Sequence, residues 1–198
     1  MRRLIIFTFI FMGVCCVSCK DKDKEQEQEY PADKKYVAGN YYNVGGVEGI
    51  IYKTNGTTGM IISLDETICL WSNEKVELGA RDFDNGMKNM EKIKERGIAN
   101  YPAFDWCNKK NTGNTNGWYL PSVEELNEIL QTYEKFQDSL VAYKGTKLDE
   151  DGRYWSSTEG HMLDVDATFA FYVEYCGFTW QGSTDKNDAN KVRAVRAF

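Results

Sequence analysis

The sequence predicts one domain of the α+β class. Between residues 36 and 70, runs rich in β-branched and aromatic residues alternate with glycine-containing breaks, as in short strands. Between residues 84 and 139, apolar residues recur at the spacing of an α-helix, and strand-like runs return after residue 153. Strands grouped before and after helices are typical of α+β domains.

The first part of this domain contains a predicted β-hairpin. The runs VEGIIYKT and MIISL flank the segment NGTTG. Asn55-Gly56 and Thr58-Gly59 provide residues that accept positive φ, which tight hairpin turns require. We therefore predict two strands joined at residues 54–59.

A first helix is predicted after this hairpin. Asp84 or Asn85 is placed to cap its N-terminus, and Gly97 is placed to end it. Its apolar positions are Met87, Met90 and Ile93. A further helical turn is predicted over Tyr101–Cys107, with Phe104 and Trp106 packed inward.

The second helix has the clearest start signal in the chain. Ser122 and Glu125 have the spacing of a capping box, in which each side chain binds the other residue's backbone N–H. Pro121 precedes them and opposes extension of the helix backwards. The apolar stripe that follows predicts one helix to about Ser139; it consists of Val123, Leu126, Ile129, Leu130, Tyr133 and Phe136.

Three strands are predicted in the C-terminal part, with the sequences RYWSSTE, ATFAFYVEYC and KVRAVRAF. The last shows the alternation of a strand with one solvated face. Residues 176–190, between the second and third, are interpreted as a loop.

The N-terminus has the order of a bacterial export signal. Two arginines precede an apolar run from Leu4 to Val14, which is shorter than the roughly 20 residues that a membrane span needs. The residues before Cys19 resemble the lipobox of bacterial lipoproteins. Residues 1–18 are therefore predicted to be a signal peptide and Cys19 to be lipidated; Cys16 as the acceptor and cleavage by ordinary signal peptidase are the alternatives.

Residues 19–35 are predicted to be a disordered tether, because their acids, lysines and glutamines cannot bury enough apolar surface to order themselves. The lysine and acids that follow Cys19 resemble the signal that sends Bacteroidetes lipoproteins to the cell surface. We expect a protein anchored by lipid in the outer membrane and exposed on the cell surface; which leaflet holds it stays open.

Charge and cysteine content limit the partners. The formal net charge is −6, and cleavage before Cys19 would make it about −8, so nucleic acid is an unsuitable partner. Cys69, Cys107 and Cys176 lie among apolar or aromatic neighbours, which predicts buried free thiols. A disulfide between Cys69 and Cys107 is the alternative.

Three sequence blocks resemble the DUF1566 family, also described as the C-terminal domain of the Legionella collagen-like adhesin. They are WYLPS at 118–122, YWSSTE at 154–159 and VRAVR at 192–196. The resemblance covers most of residues 36–198, which we take as the domain. The resemblance implies a C-type-lectin-like fold, with two helices packed on a twisted antiparallel sheet and the terminal strands close together. The family is also similar, more distantly, to formylglycine-generating enzymes.

The matching residues of these blocks are expected to be mainly structural. Tryptophans of this kind usually fill core positions, and an arginine of the last strand is expected to pair with Glu125 or Glu159. The matching residues are Trp118, Pro121, Ser122, Glu125, Trp155, Ser156, Glu159, Arg193 and Arg196.

Ligand binding is predicted instead for the loop at 176–190. Trp180, Gln181, Asp185 and Asn187 combine an aromatic face with amides and an acid, which suits stacking on a sugar ring and bonding to its hydroxyls. The alternative is a mobile loop with one protected tryptophan.

No catalytic residue is predicted. His161 is the only histidine, and no G-x-S-x-G motif accompanies it. Asp82 to Gly86 begins like a calcium-binding EF-hand loop, but position twelve is Ile93 instead of an acid. We therefore predict no metal site and no cofactor; weak calcium binding by Asp149–Asp151 or Asp164–Asp166 is the alternative.

These observations favour a non-enzymatic surface lipoprotein whose lectin-like domain binds a glycan or a surface protein. A structural subunit of a surface assembly, such as a pilus or a polysaccharide-uptake complex, is the alternative function. An enzyme similar to formylglycine synthase is a third.

Overall fold

Two β-sheets and four α-helices build the part of the chain that this computed structural model describes, residues 35–113, 115–160 and 167–198. The strands are β1 (Tyr41–Val44), β2 (Val47–Thr54), β3 (Gly59–Ile62), β4 (Thr67–Leu70), β5 (Arg153–Glu159), β6 (Phe169–Tyr175), β7 (Thr179–Asp185), β8 (Ala189–Val192) and β9 (Val195–Ala197). The α-helices are α1 (Gly86–Glu95), α2 (Pro102–Lys109), α3 (Val123–Gln131) and α4 (Glu134–Ala142). The α+β class is confirmed. The signal peptide at 1–18, Cys19, the predicted tether up to residue 34, His161 and Asp164–Asp166 lie outside the described residues.

The strands form two separate sheets instead of the single antiparallel sheet that was expected. The first has the order β1-β2-β3-β9, and the second has the order β4-β8-β5-β6-β7. The pairing of β5 with β8 is parallel, and the other strand pairings are antiparallel. The two ends of the described domain are close together, as expected, because the rings of Tyr36 and Phe198 pack edge to face at 4.7 Å.

The predicted hairpin at 54–59 is confirmed. Thr54 pairs with Gly59 across β2 and β3, and the Asn55 side chain accepts hydrogen bonds from the backbone N–H groups of Thr57 and Thr58. Gly56 has φ of +100°, the conformation for which the sequence provided a glycine.

Helix α1 begins and ends where the sequence predicted. The Asn85 side chain caps it by accepting from the Lys88 N–H at 3.1 Å, and Gly97 follows it with φ of +86°. Gly86, its first residue, packs closely on the turn before α3, since a Cβ there would lie 2.3 Å from the Leu120 carbonyl oxygen. Only glycine fits at this contact.

The predicted turn at 101–107 is the longer helix α2, whose two aromatic residues differ in burial. Phe104 is fully buried and packs edge to face with Trp71, with ring centres 4.9 Å apart. Trp106 is half-buried, and Lys110 lies over its ring at 4.0 Å. The expectation that both rings point inward is therefore right for Phe104 and only partly right for Trp106.

The second predicted helix is divided into α3 and α4, so its continuation to Ser139 as one element was wrong. The Thr132 hydroxyl donates to the Glu128 carbonyl. The backbone N–H of Thr132 donates to the carbonyl of Ile129, three residues earlier, instead of the residue four earlier. The backbone thus leaves the α-helical pattern there. The break allows α3 to pack on β5, β6 and β7 while α4 packs on β2 of the other sheet.

The last predicted strand is divided as well. β8 belongs to the five-stranded sheet and β9 to the four-stranded sheet, and Arg193 lies between them. One hydrophobic core joins both sheets, from Ile50 and Ile61 in the first to Trp155 and Val173 in the second. Within the described residues, no helix is long and apolar enough to cross a membrane.

Candidate functional site

The predicted ligand residues lie on a strand and the turn after it, so the interpretation of residues 176–190 as a loop was wrong. Trp180, Gln181 and Asp185 belong to β7, which pairs with β6 from Thr179 to Asp185, and Asn187 lies in the turn that follows. The sequence signal was weak because Gly182 and the polar residues around it are poor strand formers. The ring of Tyr172 on β6 fills the space where a side chain on Gly182 would stand, since a Cβ there would lie 2.5 Å from that ring.

The structure does not bring these four residues together. Successive side chains of a strand point to opposite faces. The Gln181 side chain donates to Glu124 of α3 at 3.1 Å, so it lies on the helix side of the sheet, and Trp180 lies on the other side. Asp185 is five residues beyond Trp180, which is roughly 17 Å along a strand.

Asp185, the predicted acid at the end of β7, binds other groups of the protein. Asp185 accepts from Lys75 at 2.6 Å, and this hydrogen bond holds the pKa of the Asp185 carboxyl below its usual value. Its other carboxylate oxygen accepts from the Asn187 N–H. These contacts fix the turn and connect β7 to the segment at 72–81.

An aromatic surface remains available on the other face of β7. The side chains of Phe178 and Trp180 are 60% and 54% exposed, although both are large and apolar. Phe178 belongs to the turn between β6 and β7, and Trp180 is the second residue of β7. Beside them, Arg153 lies over the Tyr172 ring at 4.8 Å and pairs with Glu174 at 2.9 Å. Phe178 was missed in the sequence, where its position two residues before Trp180 was the available signal.

Most residues of the three sequence blocks are buried in structural contacts. Ser122 and Glu125 form the predicted capping box, and Glu125 also accepts from Gly86 at 3.0 Å and from the Tyr119 hydroxyl at 2.6 Å. Burial and this carboxylate raise the pKa of Tyr119. Trp155 is fully buried and donates to the Cys69 carbonyl at 3.1 Å. The remaining buried members are Trp118, Pro121, Ser156, Glu159 and Arg193.

The predicted arginine pairs were wrong. Arg193 binds Glu66 at 2.5 Å instead of Glu125 or Glu159. Glu66 also accepts from the hydroxyl of Tyr154 at 3.0 Å. Arg196, which is half-buried, donates to the backbone carbonyl of Asn116. Sequence reasoning missed Glu66 because it lies far from Arg193 in the chain.

Glu159 pairs with Lys186, a residue that the sequence analysis did not single out. The two charged atoms lie 2.5 Å apart, and their side chains are 1% and 0% exposed. Glu159 also accepts from the N–H groups of Leu78 and Gly79, and Lys186 donates to the Val76 carbonyl at 2.8 Å. Burial lowers the pKa of Lys186, and the carboxylate of Glu159 opposes this effect. The pair anchors the segment at 76–79 to the end of β7.

Two of the acids considered for calcium, Asp82 and Asp149, bind groups of the protein. Lys88 donates to Asp82 and lowers the pKa of its carboxyl, and the Asn85 N–H also donates to it, so the EF-hand-like opening serves as the start of α1. Asp149 pairs with Lys191 at 3.3 Å. In residues 35–113, 115–160 and 167–198, no group of three or more His, Cys, Asp or Glu side chains is arranged to hold a metal ion.

An open cleft of about 340 Å³ lies elsewhere on the domain, lined in part by Asp65, Lys110 and Trp118. Two of the charges at its wall bind each other, since Lys110 pairs with Asp65 at 2.5 Å. None of the four predicted ligand residues lines it.

The three described cysteines are free thiols, and they differ in exposure. Cys107 is buried, Cys69 is half-buried, and Cys176 is exposed, so the predicted burial was wrong for Cys176. Burial raises the pKa of Cys69 to about 11 and also raises that of Cys107.

We expect these differences to appear as different alkylation rates, because the thiolate is the reactive form. At pH 8 in the folded protein, iodoacetamide should modify Cys176 quickly, Cys69 slowly, and Cys107 only after unfolding. Peptide mass spectrometry over time measures each rate. Protection of both Cys69 and Cys107 until a reductant is added would indicate a disulfide between them and contradict this prediction.

Comparison with known proteins shows a likeness in structure. No protein-family model matches the chain, and no curated protein matches it. Among solved structures, the crystal structure of a fimbrial protein from Bacteroides ovatus ATCC 8483 is similar, with a TM-score of 0.57 and 17% sequence identity. The match covers 71% of this chain and 36% of that protein, so this chain spans little more than a third of its length. At this identity the likeness establishes a shared fold.

Proposed function

We propose that this chain is a non-catalytic subunit of a fimbria-like surface assembly. The observation that carries the proposal is the shared fold with the Bacteroides ovatus fimbrial protein over 71% of the chain. The exposed aromatic pair of Phe178 and Trp180 supports it, since exposed apolar patches often mark protein contacts.

The anchor predicted from the sequence fits this role. Lipid on Cys19 would hold the protein to the outer membrane, and a tether over residues 19–35 would separate the domain from the lipid surface. We propose in addition that the domain has the C-type-lectin-like arrangement of the DUF1566 family. The burial of Trp155, Glu159 and Arg193 supports a structural role for its motif residues.

Crosslinking on intact cells tests the assembly role. Cells that produce the native protein are treated with a membrane-impermeant amine crosslinker, and the products are identified by mass spectrometry. We expect the chain in large covalent complexes with other surface proteins, because assembly subunits have permanent neighbours. Recovery as an uncrosslinked monomer, with a known surface protein crosslinked in the same sample, would contradict the proposal.

Glycan binding is the second candidate function, and the exposure of Trp180 favours it. An indole that is 54% exposed can stack on a sugar ring. Its neighbours differ from those predicted, because Asp185 and Gln181 bind Lys75 and Glu124. A glycan array with the wild-type protein and Trp180→Ala, each with calcium and with EDTA, separates the two functions. Binding that the substitution abolishes would establish a lectin site, and silence on all glycans would exclude it.

A further inference from the structure

Strand β7 is an open edge of the five-stranded sheet. It is the last strand in the order β4-β8-β5-β6-β7, and it pairs with β6 on one side. Among the described residues, no strand pairs with its other side. An open edge presents N–H and C=O groups that can bind another strand.

The register shows which backbone groups face outward. The Lys186 N–H donates to the Thr168 carbonyl, and the Cys176 N–H donates to the Phe178 carbonyl. Directly opposed antiparallel residues alternate between hydrogen-bonded and non-hydrogen-bonded pairs. The even-numbered residues of β7 therefore bond to β6, and the backbone groups of Thr179, Gln181 and Ser183 face away from it.

This edge lacks the usual protection against pairing. Natural edge strands are protected by charges, prolines or bulges. Thr179–Thr184 contains neither a charged residue nor a proline, in a protein whose residues are 27% charged. Its pairing with β6 is regular over the whole strand, with no bulge. Over these six residues the edge is therefore unbulged, uncharged and suited to accept a further strand. Asp185, the last residue of β7, is charged and pairs with Lys75.

The face of β7 that carries Trp180 is complementary to itself under a two-fold rotation. Trp180 is large and exposed, whereas Gly182 has no side chain and is covered by the Tyr172 ring. If two copies pair antiparallel with Gln181 opposite Gln181, then Trp180 faces Gly182 of the other copy. Each indole then packs on the Tyr172 ring of the other copy.

We propose that a second copy of this chain pairs along β7, antiparallel, with the two-fold axis at Gln181. Three opposed pairs would each exchange two backbone hydrogen bonds, about six in total. The contact is the same surface on both copies, so it closes as a dimer and joins the two sheets into one. This inference is independent of the proposed assembly role, since it requires only purified protein.

Charge gives the dimer a characteristic salt response. Each copy has a formal net charge of −6, and Glu124 lies beside the axis because it binds Gln181. Repulsion between the copies is screened by salt, since the Debye length falls from about 10 Å at 0.1 M to about 3 Å at 1 M. Dimerisation should therefore become stronger as salt is added, in contrast to an association held by ion pairs.

Disulfide trapping in the full-length chain tests both the pairing and its register. In a Cys176→Ser background, Gln181→Cys places the two thiols in an opposed hydrogen-bonded pair, with Cα atoms about 5.5 Å apart. A disulfide requires Cα atoms about 4.4 to 6.8 Å apart. We expect Gln181→Cys to form about tenfold more covalent dimer on mild oxidation than the Cys176→Ser parent, because pairing raises the effective thiol concentration.

Ser183→Cys in the same background is the matched control. In the proposed register its two copies lie four residues apart along the strands, roughly 14 Å, which is too far for a disulfide. It should therefore form no more dimer than the parent. A mixture of Thr179→Cys and Ser183→Cys, which the register places opposite each other, should form the mixed dimer.

The proposal is overturned if the Gln181→Cys variant unfolds at the same temperature as the parent and yet forms no more covalent dimer than the parent. It is also overturned if Ser183→Cys forms dimer as readily as Gln181→Cys, since random collision would then explain both. Trapping of Gln181→Cys to a different protein in cells, with no self-dimer, would assign the edge to another chain's strand.

Discussion

Replacement of Arg193 by methionine is expected to lower the free energy of unfolding by about 3 to 5 kcal/mol, because it breaks a buried ion pair. The guanidinium is fully buried and binds Glu66 at 2.5 Å. It also donates to the backbone carbonyls of Ser63, Leu64 and Thr146, each at 2.9 Å. Methionine leaves these acceptors without their donor. Urea denaturation followed by tryptophan fluorescence measures the loss.

Arg196→Met is the matched control, since Arg196 belongs to the same VRAVR block. Arg196 is half-buried, and its guanidinium donates to the Asn116 carbonyl. Its replacement should change the free energy of unfolding by less than about 1 kcal/mol. Equal losses for the two variants would show that the Arg193 network does not stabilise the fold as argued.

Replacement of Lys186 by methionine is expected to have an effect of similar size, about 3 to 5 kcal/mol, because it leaves a buried carboxylate without its cation. Lys186 lies 2.5 Å from Glu159 and 4.8 Å from the centre of the Trp71 ring, with neither charged side chain more than 1% exposed. The variant should also loosen the end of β7 and the segment at 76–79. Urea denaturation gives the free energy, and hydrogen exchange of the Leu78 and Gly79 amides shows the loosening.

Lys75→Met is the control for this pair. Lys75 binds Asp185 at 2.6 Å, but its side chain is 47% exposed, so solvent screens the interaction. We expect a loss of less than about 1 kcal/mol. The double variant Glu159→Gln with Lys186→Met should recover part of the stability lost in Lys186→Met, since no uncompensated charge stays buried. A double variant less stable than Lys186→Met would refute this explanation.

The candidate surface could be predicted only in part. Trp180 was singled out from the sequence because an aromatic face among amides and acids suits stacking on a sugar ring, and the structure leaves it exposed. Gln181 and Asp185 were placed in the same site because they are close in sequence. The strand geometry separates both from Trp180. Gln181 is adjacent to Trp180 and therefore faces the opposite side of the sheet, and Asp185 lies five residues farther along the strand. A loop would have allowed the predicted convergence, and β7 does not.

Features that depend on neighbouring residues could be predicted from the sequence alone. The capping box of Ser122 and Glu125, the Asn85 cap of α1 and the hairpin turn at Asn55 each form between residues at most a few positions apart. Side-chain oxygens there bind backbone N–H groups that are nearby in any folded or partly folded chain. Such contacts can be read from residue type and spacing.

Features that depend on distant residues arise only in the folded chain. Arg193 meets Glu66 across 127 positions, and Lys186 meets Glu159 across 27. β7 becomes a strand because β6 provides its hydrogen bonds and Tyr172 covers Gly182. Local sequence contains no information about such partners, because burial and pairing are properties of the whole folded chain. For this reason the helix and hairpin signals could be located in advance, whereas the buried ion pairs and the open edge could not.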